Sequence, residues 1–163
     1  NKILNYNIYS SLITKFLKKR KYKIILEPGR AIIGNAGILI SKILYIKKNK
    51  NKNFVILDAA MNDLMRPALY GTKHQIIPST KNNKIINKIF EFVGPICEST
   101  DKFLTTKKYQ RLKEGDFIII CDVGAYGMSL SSNYNVRPNP AEILIKNSKI
   151  QIIKKRQKLN DIN

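Results

Sequence analysis

Histidine, cysteine and acidic side chains are all scarce in this chain of 163 residues. The only histidine, His74, opens a β-like run with no second metal-ligand type at useful spacing. That argues against a metal site and against a Ser-His-Asp triad, and leaves His74 a structural role. Cys97 and Cys121 are too few and too far apart for a zinc site. Two cysteines suit a reducing, cytoplasmic compartment, and the sequence leaves open a bridge between them. No apolar run comes near the ~20 residues that a membrane-spanning helix needs, and no internal repeat is evident. An initiating methionine is missing too, since the chain opens on Asn1. The expectation is a processed chain or part of a longer polypeptide, so the lack of a leader sequence says nothing about targeting.

Acidic residues number 11 against 30 Lys and Arg, for a net charge of +19. Such a balance ordinarily suggests nucleic acid or an anionic membrane surface. The distribution argues otherwise. The lysines are scattered or sit in short polar runs such as "KKNKNKN" (residues 47–53), together with an excess of Asn and Ile. That trio is what A/T-rich codons encode, so most of the charge reads as drift onto solvated faces, with no nucleic-acid or membrane partner expected.

The length suffices for one ordinary domain and a piece of another. Residues 8–19, "IYSSLITKFLKK", carry apolar side chains at helical spacing and a basic last turn, which predicts a helix. After it, "YKIILEPGR" is a short apolar run ending in a Pro-Gly breaker, the pattern of a buried strand that opens into a loop. Helix, strand and functional loop in that order is the rhythm of an α/β barrel. From Ile38 the texture changes: "ILISKILYI", "NFVILDA", "HQIIP", "KIFEFVG", "DFIIICDVG", "AEILIK" and "KIQIIKK" are short β-rich runs between turn residues. The chain is therefore expected to be mainly β: an α/β tail over residues 1–35, then a β-barrel or sandwich domain over 36–163. Between the runs, "MNDLMRPALY" predicts one helical turn, with Asn62 or Asp63 as cap and Pro67 limiting its length.

Four motifs could carry chemistry. In "EPGR", Glu27 follows the strand, and Gly29 with Arg30 offers backbone N–H groups and a guanidinium that suit a phosphate; a plain surface turn has the same pattern. In "DAAMNDLMRPALY", Arg66 and Tyr70 stand four apart, on one helical face, where a cation and a phenol can hold a carboxylate. The alternative is a surface Arg over a half-buried Tyr. In "GPICESTD" the preceding strand should stop at Gly94-Pro95 and leave Ile96, Cys97 and Glu98 exposed, where a thiol can give up a proton or attack. A small core hydrophobe is the other reading of Cys97. In "VGAYGMSLSSNYNVRPNPAEILI", Tyr126 lies between Gly124 and Gly127, free to approach a ligand closely or to form an ordinary aromatic corner.

In this order, "EPGRAIIGNAG", "DAAMNDLMRPALY", "GPICESTD" and "GAYGMSLSSNYNVRPNPAE" closely resemble the C-terminal half of the diaminopimelate decarboxylases. These are pyridoxal-phosphate enzymes of the alanine-racemase-like fold type, which make lysine. The resemblance runs from the helix before Glu27 to about Ile145. It implies a pyridoxal-phosphate-binding (β/α)8 barrel followed by a β domain, with the helix and Tyr22 to Glu27 as the barrel's last helix and strand. A barrel of that kind takes about 250 residues. The family's cofactor-bearing lysine, the histidine stacked on the cofactor ring and the main glycine-rich phosphate loop would all lie upstream, so this chain alone should be inert.

The resemblance also implies roles. Glu27 would face the cofactor's pyridine nitrogen, with Gly29 and Arg30 at its phosphate. Arg30, Arg66 and Tyr70 would hold the distal carboxylate of meso-diaminopimelate, Glu98 its distal ammonium, and Tyr126 would touch both cofactor and substrate. Cys97 would protonate the substrate carbon after carbon dioxide departs, reaching in with Glu98 from the partner subunit of a homodimer. "NDLMRPALY" and "CES" favour this enzyme over the related ornithine and arginine decarboxylases. Three positions depart from the family pattern: Ala60 and Thr100, each where glycine is usual, and Asn139, where arginine is usual. A non-catalytic regulatory or dimerising β module is the runner-up, and a nucleic-acid-binding protein, supported by charge alone, the third reading.

Overall fold

The structure is a computed structural model that describes residues 5–162. The first four residues of the expected α/β tail, and Asn163 at the end of the expected β domain, lie outside them. Helix α1 spans Tyr6–Leu17. Asn5 caps it, its Oδ1 accepting the N–H groups of Asn7 at 3.1 Å and Ile8 at 3.2 Å. At the other end the Arg20 guanidinium donates to the Phe16 carbonyl at 2.6 Å and lies over the Phe16 ring. No residue of α1 is buried, although Tyr9, Leu12 and Phe16 share its apolar face. Nothing among the described residues covers that face.

The strand expected over Tyr22–Glu27 does not form: residues 21–28 have no regular structure, and Tyr22 and Ile25 are largely exposed. A strand exists only by pairing, and no other described segment lies beside this one to complete its hydrogen bonds. The short helix α2, Arg30–Ile33, and a 3-10 turn, Gly34–Ala36, then lead into the sheet.

Ten strands follow. β1 (Leu39–Lys48), β2 (Lys52–Leu57), β3 (Ile76–Pro78), β5 (Ile89–Val93), β6 (Lys102–Thr106) and β8 (Phe117–Ile120) form one curled sheet in the order β3-β8-β1-β2-β5-β6. Only the β2–β5 pair is parallel. The "KKNKNKN" run spans the turn between β1 and β2 and the strand ends on either side, closed by the Asn49 N–H on the Lys52 carbonyl at 2.8 Å. Pro78, which cannot donate to a ladder, sits on an edge strand. Alternation along the strands sends Ile43, Val55, Leu57, Phe90, Phe92, Phe103, Ile118 and Ile120 into one core. In β1 the alternation is reset by a bulge at Leu44, which lies exposed between Ile43 and Tyr45. A small pair, β4 (Ile85–Ile86) with β7 (Tyr109–Gln110), closes one end. The Tyr109 ring meets Phe92 edge-on at 5.0 Å and its hydroxyl donates to the Ile76 carbonyl. Burial raises the pKa of that phenol.

β9 (Glu142–Lys146) and β10 (Lys149–Lys154) form a separate hairpin, with Asn147 and Ser148 in the left-handed conformation that a tight turn requires. Ile143, Ile145, Ile150 and Ile152 are all exposed on it. Among the described residues, no helix is long and apolar enough to cross a membrane.

One ion-pair cluster crosses three strands. Glu91 on β5 accepts from Lys52 of β2 at 2.8 Å and pairs with Lys102 of β6 at 3.3 Å. The Lys52 hydrogen bond, chiefly, holds the Glu91 carboxyl below its ordinary 4.5. A depressed carboxyl pKa adds stability above the unfolded value, and that stability is lost as pH falls through the folded one. We expect Glu91→Gln to cost about 1 kcal/mol at neutral pH, since both lysines are substantially exposed. The difference from wild type should shrink as pH falls below 4.5 and vanish only below the lowered folded value. Denaturant midpoints at the two pH values check this; a difference that survives in acid would assign the effect to packing.

Candidate functional site

Two backbone stretches close on each other to build the first wall of the site. The Val123 N–H donates to the Gly37 carbonyl and the Gly124 N–H to the Gly34 carbonyl, both at 3.0 Å. A Cβ on Gly37 would overlap the Gly124 backbone, and one on Gly124 would overlap the Ile33 carbonyl oxygen. The glycines are there because only bare backbone fits. Gly124→Ala is expected to cost about 2 kcal/mol or more through this overlap. A denaturation midpoint equal to wild type would show that the seam is not close-packed.

The seam fixes Tyr126, two residues on, in a left-handed conformation (φ 58°) that a bulky residue rarely adopts. Its ring is about half exposed and its hydroxyl sits 3.0 Å from where a Cβ on Gly29 would stand. The Tyr126 phenol therefore closes over the turn of "EPGR", where the missing side chain of Gly29 makes room. Beyond that turn, the Arg30 stem lies against Gly34.

The second wall begins where β2 ends. The Asp58 carboxylate accepts from Ser41 Oγ at 2.5 Å and from the Lys42 N–H at 2.8 Å, which anchors the strand's exit. Asn62, fully buried, donates to the Ser132 carbonyl at 3.2 Å and accepts from Arg137 Nε at 3.0 Å, while Arg137 Nη2 also donates to the Asp58 carbonyl. Asp63 accepts the Ala60 N–H at 2.8 Å. Burial raises the Asp63 pKa, opposed by that N–H and by Arg137. Neither Asn62 nor Asp63 caps the next helix, contrary to the sequence expectation: their side chains are used within the loop and across to residues 132–137. Helix α3 is Arg66–Tyr70, with Pro67 in its first turn rather than limiting its length, and Gly71 ends it in the left-handed conformation (φ 61°). The Arg66 guanidinium then lies 5.4 Å from the Tyr70 ring centre and 5.5 Å from that of Tyr126.

A third loop follows β5. Cys97 and Glu98 are exposed, as expected, but Ile96 is buried. The loop turns inward there because the buried Asp101 carboxylate accepts the Ile96 N–H at 2.9 Å. The same carboxylate accepts the Met61 N–H at 2.7 Å. Burial raises the Asp101 pKa against the pull of these two donors.

The fold thus brings Gly29, Arg66, Tyr70 and Tyr126 to one surface, with Arg30 beside it. A guanidinium near two phenols, one of which lies over the Gly29 turn, can bind a carboxylate or phosphate and orient it. That donor set fits an anionic group such as the phosphate of pyridoxal phosphate. Glu27 is exposed, with no hydrogen bond or ion pair among the described residues. None joins Cys97 or Glu98 to Arg66, Tyr70 or Tyr126 either. Cys97 and Cys121 are free thiols, so no bridge links them. His74 is buried, with Nδ1 at 2.8 Å from the Cys121 carbonyl, and no group of three metal-ligating side chains occurs among the described residues. Ala60 and Thr100 do not adopt a positive φ, so neither position demands glycine. The Asn139 N–H donates to Gln157 at 3.0 Å. Sequence reasoning did not single out Asp101 or Asn62 as organising residues, although a short acidic side chain closing a Gly-Pro loop is a signal for such a bond.

Residues 6–124 match the family model described as "Pyridoxal-dependent decarboxylase, C-terminal sheet domain". The chain is 43% identical over 149 residues to the diaminopimelate decarboxylase of Aquifex aeolicus, covering 91% of this chain and 35% of that protein. With that of Buchnera aphidicola it shares 45% over 161 residues, covering 92% and 39%. The crystal structure of the Helicobacter pylori diaminopimelate decarboxylase, complexed with L-lysine, superposes with a TM-score of 0.87 at 43% identity, over 99% of this chain and 39% of that one. The chain spans little more than a third of the length of these relatives.

Proposed function

The chain belongs to the pyridoxal-dependent decarboxylases, as their C-terminal sheet domain, and from that premise we propose that it is the C-terminal part of a diaminopimelate decarboxylase. The reaction would convert meso-diaminopimelate to L-lysine and carbon dioxide in the cytoplasm, where free thiols persist. Residues 1–35 would be the tail of the cofactor-binding barrel, whose remainder lies outside this chain, and 36–163 the β domain. The observation that carries the reading is the placement of Arg66 within 5.5 Å of the rings of both Tyr70 and Tyr126, the second of which closes over the Gly29 turn.

Pyridoxal phosphate, when bound, would supply the sink for the electrons released as carbon dioxide leaves. Gly29 and Arg30 would hold its phosphate, Glu27 its ring nitrogen, and Tyr126 would contact both cofactor and substrate. Arg30, Arg66 and Tyr70 bind the substrate's distal carboxylate, and Glu98 pairs with its distal ammonium. Cys97 delivers a proton to the carbon that has lost its carboxylate, and its exposure lets solvent restore the thiol. Cys97 and Glu98 serve the partner's site in a homodimer, which accounts for their lying on a different loop from Arg66 and Tyr126.

Selectivity follows from unpaired donors. Ornithine and lysine bring no second carboxylate, so Arg66 and Tyr70 would lose water without gaining a partner. A chimera joining the barrel half of the Aquifex aeolicus relative to this chain should favour meso-diaminopimelate over ornithine in kcat/KM by about 10²-fold or more. Comparable turnover of the two would contradict the assignment.

A further inference from the structure

Resting on that reading, we propose that Asp101 is a positioning residue that fixes Cys97 and Glu98 for the partner's active site, using the backbone of its own site as the anchor. Cys97 and Glu98 sit on a short exposed loop, and an exposed loop does not by itself hold a proton donor in place. Asp101 closes it from inside. One carboxylate oxygen, Oδ2, accepts the Ile96 N–H, next to Cys97, at 2.9 Å. The other, Oδ1, accepts the Met61 N–H at 2.7 Å, in the segment that leads to Arg66 and Tyr70. Its own backbone completes the loop: the Asp101 N–H donates to the Glu98 carbonyl and the Gly94 N–H to the Asp101 carbonyl, both at 3.0 Å. A Cβ on Gly94 would overlap this carboxylate, so the loop is shaped around it. Thr100 adds a weaker tie, its hydroxyl 3.7 Å from Met61 Sδ. One buried carboxylate therefore sets the position of the groups offered to the partner relative to those kept for the chain's own substrate.

Both oxygens are acceptors, so Asp101→Asn, which nearly preserves shape, turns one of them into a donor facing an N–H. In the chimera, Asp101→Asn should lower kcat about 10-fold or more while cofactor content and dimer mass stay normal. The location of the damage is read by mixing subunits. Asp101→Asn subunits paired with Arg66→Ala subunits form heterodimers in which one site has an intact Arg66 from the first chain and an intact Cys97 loop from the second. Random re-association then restores roughly a quarter of wild-type activity, since half the dimers carry one good site of two. A control mixture of Cys97→Ala with Arg66→Ala subunits should recover equally. Recovery in the control alone would overturn the proposal by showing that Asp101 acts through its own chain's site. No recovery in either mixture would overturn the shared-site reading and the proposal with it. Wild-type kcat in Asp101→Asn would overturn the proposal alone. Should Asp101→Asn fail to assemble, Asp101→Ser, which keeps a short acceptor in the loop, enters the same comparison.

Discussion

Cys97→Ala, placed in a complete enzyme built on this chain, lowers the turnover of meso-diaminopimelate by about 10²-fold or more while pyridoxal phosphate stays bound. Removing a positioned proton donor leaves water to protonate the product carbon, and general acid catalysis of that kind is worth about 10² to 10⁴ in rate. Several features make the thiol suited to the task. It is exposed and unbridged, so it can reach a second subunit and be reprotonated from solvent. It stands between a buried Ile96 and an exposed Glu98, on a loop closed by Asp101. Among the described residues no hydrogen bond or ion pair joins it to the Gly29–Tyr126 surface of its own chain, so its loss should not disturb cofactor binding there. The paired measurement is kcat together with the absorbance of bound cofactor. Unchanged kcat would contradict the donor role, and loss of cofactor would show that Cys97 belongs to its binding site instead.

Arg66→Ala acts on a different constant. Its guanidinium lies within 5.5 Å of two ring centres, Tyr70 and Tyr126, close enough for both rings to attract the cation. A carboxylate bound there loses its charged partner on truncation, a change that costs about 3 kcal/mol, or roughly 10²-fold in KM. Arg66→Lys should recover only part of it, because an ammonium keeps the charge and loses the bidentate geometry. The accompanying fall in kcat should be small, since the distal carboxylate is remote from the bond that breaks. A KM for diaminopimelate that does not move would contradict the carboxylate-binding role.

The sequence made the site's parts legible more readily than their frame. Motif order alone picked out Gly29, Arg66, Tyr70 and Tyr126, and these meet on one surface because the Gly37–Gly124 seam and the Asp58 anchor bring their loops together. The exposed Cys97 and Glu98 followed from Gly94-Pro95 ending β5. Ile96 did not, since its burial depends on Asp101, five residues on, whose carboxylate accepts the Ile96 N–H and turns the loop inward. Strands rich in Ile, Val and Phe were plain as β-rich runs between turn residues, whereas β6, "KFLTT", offers only two apolar residues and is strand because β5 lies beside it. The reverse holds for residues 22–26: an apolar run with strand composition stays irregular here because no described segment pairs with it. Asn62 read as a helix cap from its place before α3, and tertiary demand won, since Arg137 and Ser132 claim both ends of its amide.

If this chain completes a diaminopimelate decarboxylase, carbon dioxide release depends on it. The barrel half of the Aquifex aeolicus relative is assayed with carboxyl-labelled meso-diaminopimelate, alone and fused to this chain. Release of labelled carbon dioxide from the fusion, none from the barrel half alone, and L-lysine formed in equal amount is the predicted result. A fusion that binds pyridoxal phosphate and forms a dimer, yet releases no more carbon dioxide than the barrel half alone, would contradict it and leave this chain a structural module without a part in the chemistry.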